Sequence, residues 1–100
     1  MKRLTLYAEA QSELEAAVGY YEAIEPDLGR DLRARVHRVF REIRKNPGRY
    51  PLHKESRIRR CPVSRFPYTV YYLDTPDRIW VVAIAHQKRK PDYRWARSMN

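Results

Sequence analysis

The sequence has a single cysteine, Cys61, in 100 residues. One thiol closes no disulfide within the chain, so the fold stands on packing and hydrogen bonds, as suits a reducing cytoplasm. The three histidines are far from one another and from Cys61, which leaves no metal-ligand spacing and no cofactor to expect. Long apolar runs are missing too. None nears the roughly 18 residues that a membrane span needs, so no membrane partner is expected. The opening Met1-Lys2-Arg3-Leu4-Thr5-Leu6-Tyr7 is basic, but Ala8-Glu9 interrupts its apolar stretch, unlike a signal peptide. The expected location is cytoplasmic. There is no Gly-rich phosphate loop, no nucleophile elbow and no Cys-x-x-Cys, which excludes catalysis by a conventional triad.

What remains suits one domain, residues 1–100, with a single modest core. The apolar share is 43%, with eight Tyr and two Trp to fill that core. Charge is distributed very unevenly. Arg30 to Arg60 carry twelve Lys or Arg against Asp31, Glu42 and Glu55, a net +9, while the other residues hold nine bases and nine acids. A localised positive field concentrates anionic partners, whether nucleic acid or an acidic protein segment. The same arginines also serve as a solvated face.

Periodicity divides the chain. Lys2 to Tyr7 reads as a short strand with Leu4 and Leu6 on one face. Ala10, Leu14, Ala17, Val18, Tyr21 and Ile24 then follow a helical stripe that Pro26 ends. Asp27 is expected to cap a second helix with the stripe Leu28, Leu32, Val36, Val39, Phe40 and Ile43, stopped by Asn46-Pro47-Gly48. So short a link makes the helices an antiparallel hairpin. Arg57 to Val63 reads as an edge strand, Tyr68 to Leu73 as a second, and Ile79 to Ala85 as a strand covered on both faces. Helices and strands are segregated, so the fold class is α+β, with the hairpin packed on a small, mainly antiparallel sheet.

Two groups of residues are candidates for chemistry. His86 leaves the buried strand, followed by Lys88, Arg89 and Tyr93, and Arg65 enters the preceding strand. Together they would offer a phosphate clamp with acid and base groups. Read blandly, the loop is solvated and His86 is a structural histidine at a strand end. Glu13, Glu15, Glu22 and Glu25 lie off the apolar stripe of the first helix and read as solvating groups or partners of the arginine-rich helix. Tyr20 falls near the edge of the core and Trp80 within the sheet.

In order along the chain, Ala17-x-x-Tyr20-Tyr21-Glu22, Leu28-Gly29, Asn46-Pro47, Tyr50-Pro51, Arg65-Phe66-Pro67-Tyr68-x-Val70-x-Tyr72 and His86-x-x-Arg89-x-Pro91-x-Tyr93 resemble the RelE/ParE superfamily of bacterial toxins. The resemblance runs from about Leu4 to Arg97. It implies a type II toxin–antitoxin pair, in which an acidic antitoxin made alongside neutralises the toxin in a hetero-oligomer. Two targets follow from its two branches. RelE-like members cut messenger RNA on the ribosome, and Arg65, His86, Arg89 and Tyr93 would be the catalytic groups. ParE-like members inhibit DNA gyrase and are not nucleases. The RelE branch carries an Arg after the Tyr of the central strand, where this sequence has Thr69. That departure, the Tyr-Tyr-Glu helix and the Arg-Phe-Pro-Tyr strand favour the ParE branch. Candidate partner contacts are Arg57, Arg59 and Arg60 on the edge strand, with Lys88 and Trp95 beyond the last strand.

Overall fold

A computed structural model describes residues 1–88. The elements run β1 (Arg3–Leu6), α1 (Ala8–Ile24), α2 (Pro26–Lys45), β2 (Ile58–Pro62), β3 (Tyr68–Asp74) and β4 (Arg78–His86). The strands form one sheet in the order β1-β4-β3-β2. β3 pairs antiparallel with both β2 and β4, and β1 adds parallel to β4. Short turns serve the two antiparallel pairs, whereas the parallel strands β1 and β4 are joined by a long connection through both helices, β2 and β3.

The helices form where the apolar stripes predict them. Ala10, Leu14, Ala17 and Val18 of α1 are buried, as are Leu32, Val36, Val39, Phe40 and Ile43 of α2. Two local expectations fail. Asp27 does not cap α2: Glu25 holds the cap position with no side-chain hydrogen bond, and Pro26 opens the helix. Proline fits there because its missing N–H is one that the first turn leaves unpaired anyway. Ile24 is 60% exposed, because the stripe extends past the length of helix that the core covers. Gly29 lets the hairpin close, since a Cβ there would lie 2.9 Å from the Val18 carbonyl oxygen.

The helix-side core joins these stripes to Cys61, Val63, Phe66, Val70, Tyr72, Ile79, Val81 and Ile84. On the other face Ile58, Tyr71, Val82, Ala83 and Ala85 form a second cluster with Tyr7, Leu73 and Trp80. β4 is therefore apolar on both faces, as its continuous apolar run predicts. The pairing shifts by one residue at Val82, where Tyr71 faces Ala83 but Tyr72 faces Val81. This bulge reverses the alternation, so Val81 and Ile84 both belong to the helix side. Burial pushes the Tyr72 phenol above its ordinary pKa. Its O–H donates to the Pro47 carbonyl at 2.5 Å and ties the loop after α2 to the sheet.

Candidate functional site

The bulge decides what sits at the end of the sheet. The Val81 carbonyl accepts from Tyr7 N–H on the β1 side of β4. After the shift it is the N–H of Ile84 that faces this side, and β1 pairs no further than Val81. Glu13 of α1 takes that donor through Oε1 at 3.0 Å. This carboxylate, expected to solvate its helix, instead joins α1 to β4. Ile84 and His86 next line a cavity of about 400 Å³ with Glu13, Ala17, Tyr20, Tyr21 and Tyr68. Its aromatic wall is continuous. Tyr20 meets Tyr21 at 5.1 Å, Tyr21 meets Tyr68 at 6.3 Å and Tyr68 meets His86 at 5.3 Å, all edge to face.

His86 Nδ1 accepts the Lys88 backbone N–H at 3.1 Å, which places the proton of the neutral ring on Nε2. Arg65 lies exposed in the β2–β3 turn with φ 71°. Tyr68 pairs with His86, and Gln87 N–H donates to the Pro67 carbonyl. Arg65, His86 and Lys88 thus share one end of the sheet. Arg89, Tyr93 and Trp95 lie outside the described residues. Thr69 is 8% exposed and opposite Ala85. Cys61 is buried, and desolvation raises its thiol pKa, the opposite of an activated nucleophile. Among the described residues no three His, Cys, Asp or Glu side chains gather to hold a metal ion, and no helix is long and apolar enough to cross a membrane.

The second surface is basic. On α2, Arg33 forks onto the two Glu15 oxygens at 2.7 and 2.9 Å, and Arg35 reaches Asp31 at 3.3 Å. Arg44 Nε donates to the Lys2 carbonyl at 3.0 Å. Arg38 and Arg41 are exposed and have no acidic partner among the described residues. Beside them a groove of about 460 Å³ runs along β1, an edge strand of the sheet. Leu4, Leu6, Leu14 and Phe40 supply its apolar part, and Arg33, His37, Arg41 and Arg44 its basic part. Of the candidate contacts on β2 and just before it, Arg57 and Arg60 are exposed, whereas Arg59 donates to the Tyr50 carbonyl at 2.7 Å and anchors a loop. Periodicity missed both Glu13 and the groove. Their parts come from residues far apart in sequence, and the only local sign was the position of Glu13 beside the stripe residue Leu14.

Comparison with known proteins adds the following. The family described as the ParE toxin of the type II toxin–antitoxin system, parDE, matches residues 4–91. No curated protein matches. Among solved structures, a chain from the chromosomal ParDE TA system of P. aeruginosa aligns with a TM-score of 0.76. The identity is 16%, over 86% of this chain and 96% of that one. At that identity the likeness bears on the fold, including the hairpin over a mixed sheet.

Proposed function

The chain belongs to the ParE toxin family of type II toxin–antitoxin systems, and from that premise we propose that it inhibits DNA gyrase until a cognate antitoxin neutralises it. The observation that carries the choice of target is Thr69, buried in β3. The ribonuclease branch of the superfamily has a guanidinium at this point. A hydroxyl holds no permanent charge and makes no paired bonds to a phosphate. Added to purified gyrase, the protein is expected to block supercoiling while leaving ribosome-bound messenger RNA intact. Cleavage within the ribosomal A site, lowered about 10²–10⁴-fold by His86→Ala or Tyr93→Phe, would overturn this reading in favour of an enzyme. Action on gyrase puts the protein in the cytoplasm.

The groove beside β1 supports an acidic, partly apolar antitoxin segment as the neutralising contact. Its walls offer apolar area and its arginines offer charge, and the edge of β1 that no described strand covers can accept a strand. Charge at such a surface speeds encounter more than it deepens the complex. Association with the antitoxin is expected to slow as salt rises to physiological strength, where the Debye length is about 8 Å. A rate indifferent to salt would remove the steering role of α2.

A further inference from the structure

Six arginines and one lysine share α2 with Asp27, Asp31 and Glu42, and the fold sorts them by task. Three arginines are held within it: Arg33 by Glu15, Arg35 by Asp31 and Ser64, and Arg44 by the Lys2 carbonyl. The other four bases turn outward. Arg30, Arg38, Arg41 and Lys45 are exposed, and with Ala34 they recur at helical spacing on the face opposite Leu32, Val36 and Ile43. Arg38 and Arg41 have no acidic partner among the described residues. Arg30 meets Asp27 at 3.6 Å and Lys45 meets Glu42 at 3.4 Å. These are pairs within one helical turn and in solvent, which are weak and open to exchange.

We propose that this outward ridge of α2 lies along the phosphate backbone of duplex DNA, without regard to base sequence. From Arg30 to Lys45 the helix runs about 22 Å, at roughly 1.5 Å per residue. Over that length a duplex carries about 13 negative charges, one per ~1.7 Å. The composition of the ridge selects the partner. Ala34 is its only apolar member, so it offers a peptide charge with almost no area to bury, and ion pairs in solvent hold a peptide poorly. A duplex differs, because each phosphate neutralised releases condensed counterions, and charge alone then gives binding. Three of the four bases are arginine, whose planar guanidinium forks onto phosphate oxygens. Contacts of this kind set a protein on the duplex and carry no base information. The groove beside β1 is the opposite case, with apolar walls from Leu4, Leu6, Leu14 and Phe40. Arg41 borders both surfaces, whereas Arg30, Arg38 and Lys45 do not line the groove.

The test titrates the full chain into two fluorescent DNA duplexes of unrelated sequence and follows their anisotropy as salt is varied. Neither gyrase nor antitoxin is present, so the result stands apart from the reading of the target. Both duplexes are expected to bind alike. Four phosphate contacts give a slope of log affinity against log salt of about −3.6, at about −0.9 each, or a loss of about 10²-fold between roughly 50 and 200 mM. Replacing Arg30, Arg38 and Lys45 together by Gln leaves Arg41 alone on the ridge, and the slope should fall to about −0.9. A second variant, with Arg3, Arg57 and Arg60 replaced by Gln, removes the same charge from exposed positions outside α2 and should keep most of the parent's slope. Absence of binding at about 50 mM salt, a preference for one duplex, or equal slopes in the two variants would overturn the proposal. So would polyglutamate that displaced the labelled duplex as well as unlabelled DNA of the same total charge, because the ridge would then suit an acidic protein.

Discussion

The two helices of the hairpin lie side by side on one sheet but solve different problems. α2 is sharply divided: its buried stripe is Leu32, Val36, Val39, Phe40 and Ile43, and its other faces carry six arginines and Lys45. α1 buries two alanines, one leucine and one valine, carries no basic residue, and leaves Tyr20 and Ile24 in solvent. Large apolar side chains on α2 fill the core, while small ones on α1 let it sit close to its neighbours. The difference teaches that core volume and the wall of the tyrosine cavity are drawn from different helices. α2 anchors the fold and presents charge, whereas α1 gives up core volume to hold Glu13 and the tyrosines over the end of the sheet.

If α2 is the anchor, truncating one of its fully buried side chains should be the costliest change. Ile43 is 0% exposed within the helix-side core. Ile43→Ala is expected to cost about 2–5 kcal/mol, lost transfer energy plus a cavity, and in a marginally stable domain that unfolds much of the free protein. A urea melt of the variant that matched the parent would break the comparison at its root.

The next effect is smaller and changes sign between the helices. A Cβ on Gly29 of α2 would meet Glu22 Cγ at 2.2 Å and the Val18 carbonyl oxygen at 2.9 Å, whereas a Cβ on Gly19 of α1 meets nothing within 4 Å. The Glu22 side chain can swing away, but the Val18 oxygen is backbone, so the helices themselves must part. Gly29→Ala is expected to destabilise by about 1–3 kcal/mol. Gly19→Ala, at an exposed helical position, should stabilise by about 0.5–1 kcal/mol through helix propensity alone. Melts that moved in the same direction for both would show that the hairpin does not close on Gly29.

The contrast between the helices also explains what was legible in the sequence. α2 announces itself, since its apolar positions are large, regular and set among charges, and five of the six in its predicted stripe are buried. The α+β order and the buried strand Ile79 to Ala85 follow from the same local periodicities. The bulge at Val82 does not, because it depends on how β4 meets Tyr71 and Tyr72 of another strand. Nor does the Glu13 contact with Ile84, which joins residues 71 apart. Capping failed for a local reason: Pro26 and Asp27 both fit a first turn, and the structure puts Pro26 first. For the candidate site, the sequence groups Arg65, His86 and Lys88, which the fold sets at one end of the sheet, but the tyrosine cavity that His86 lines needed the fold.

The smallest expected effect sits where the two helices exchange charge. Glu15 of α1 accepts both guanidinium nitrogens of Arg33, at 2.7 and 2.9 Å, and Gln11 Nε2 at 2.9 Å. The Arg33 hydrogen bonds hold its carboxyl below the usual carboxylate range. A carboxyl with a depressed folded-state pKa contributes stability that is fully present above its unfolded pKa. That contribution fades as pH falls through the lower, folded value. The pair should therefore stabilise the hairpin at neutral pH and lose that effect only on the acid side of the ordinary carboxylate range. Both side chains are exposed, 40% for Arg33 and 48% for Glu15, so solvent screens the pair and its share of stability is slight. The decisive reading is spectroscopic. Followed by NMR, Glu15 should titrate below an ordinary glutamate in the parent and move back up in Arg33→Ala, while the melts of the two proteins stay close. An unshifted Glu15 in the parent would mean that the acidic helix and the basic helix pack without electrostatic coupling, and that apolar contacts alone set the register of the hairpin.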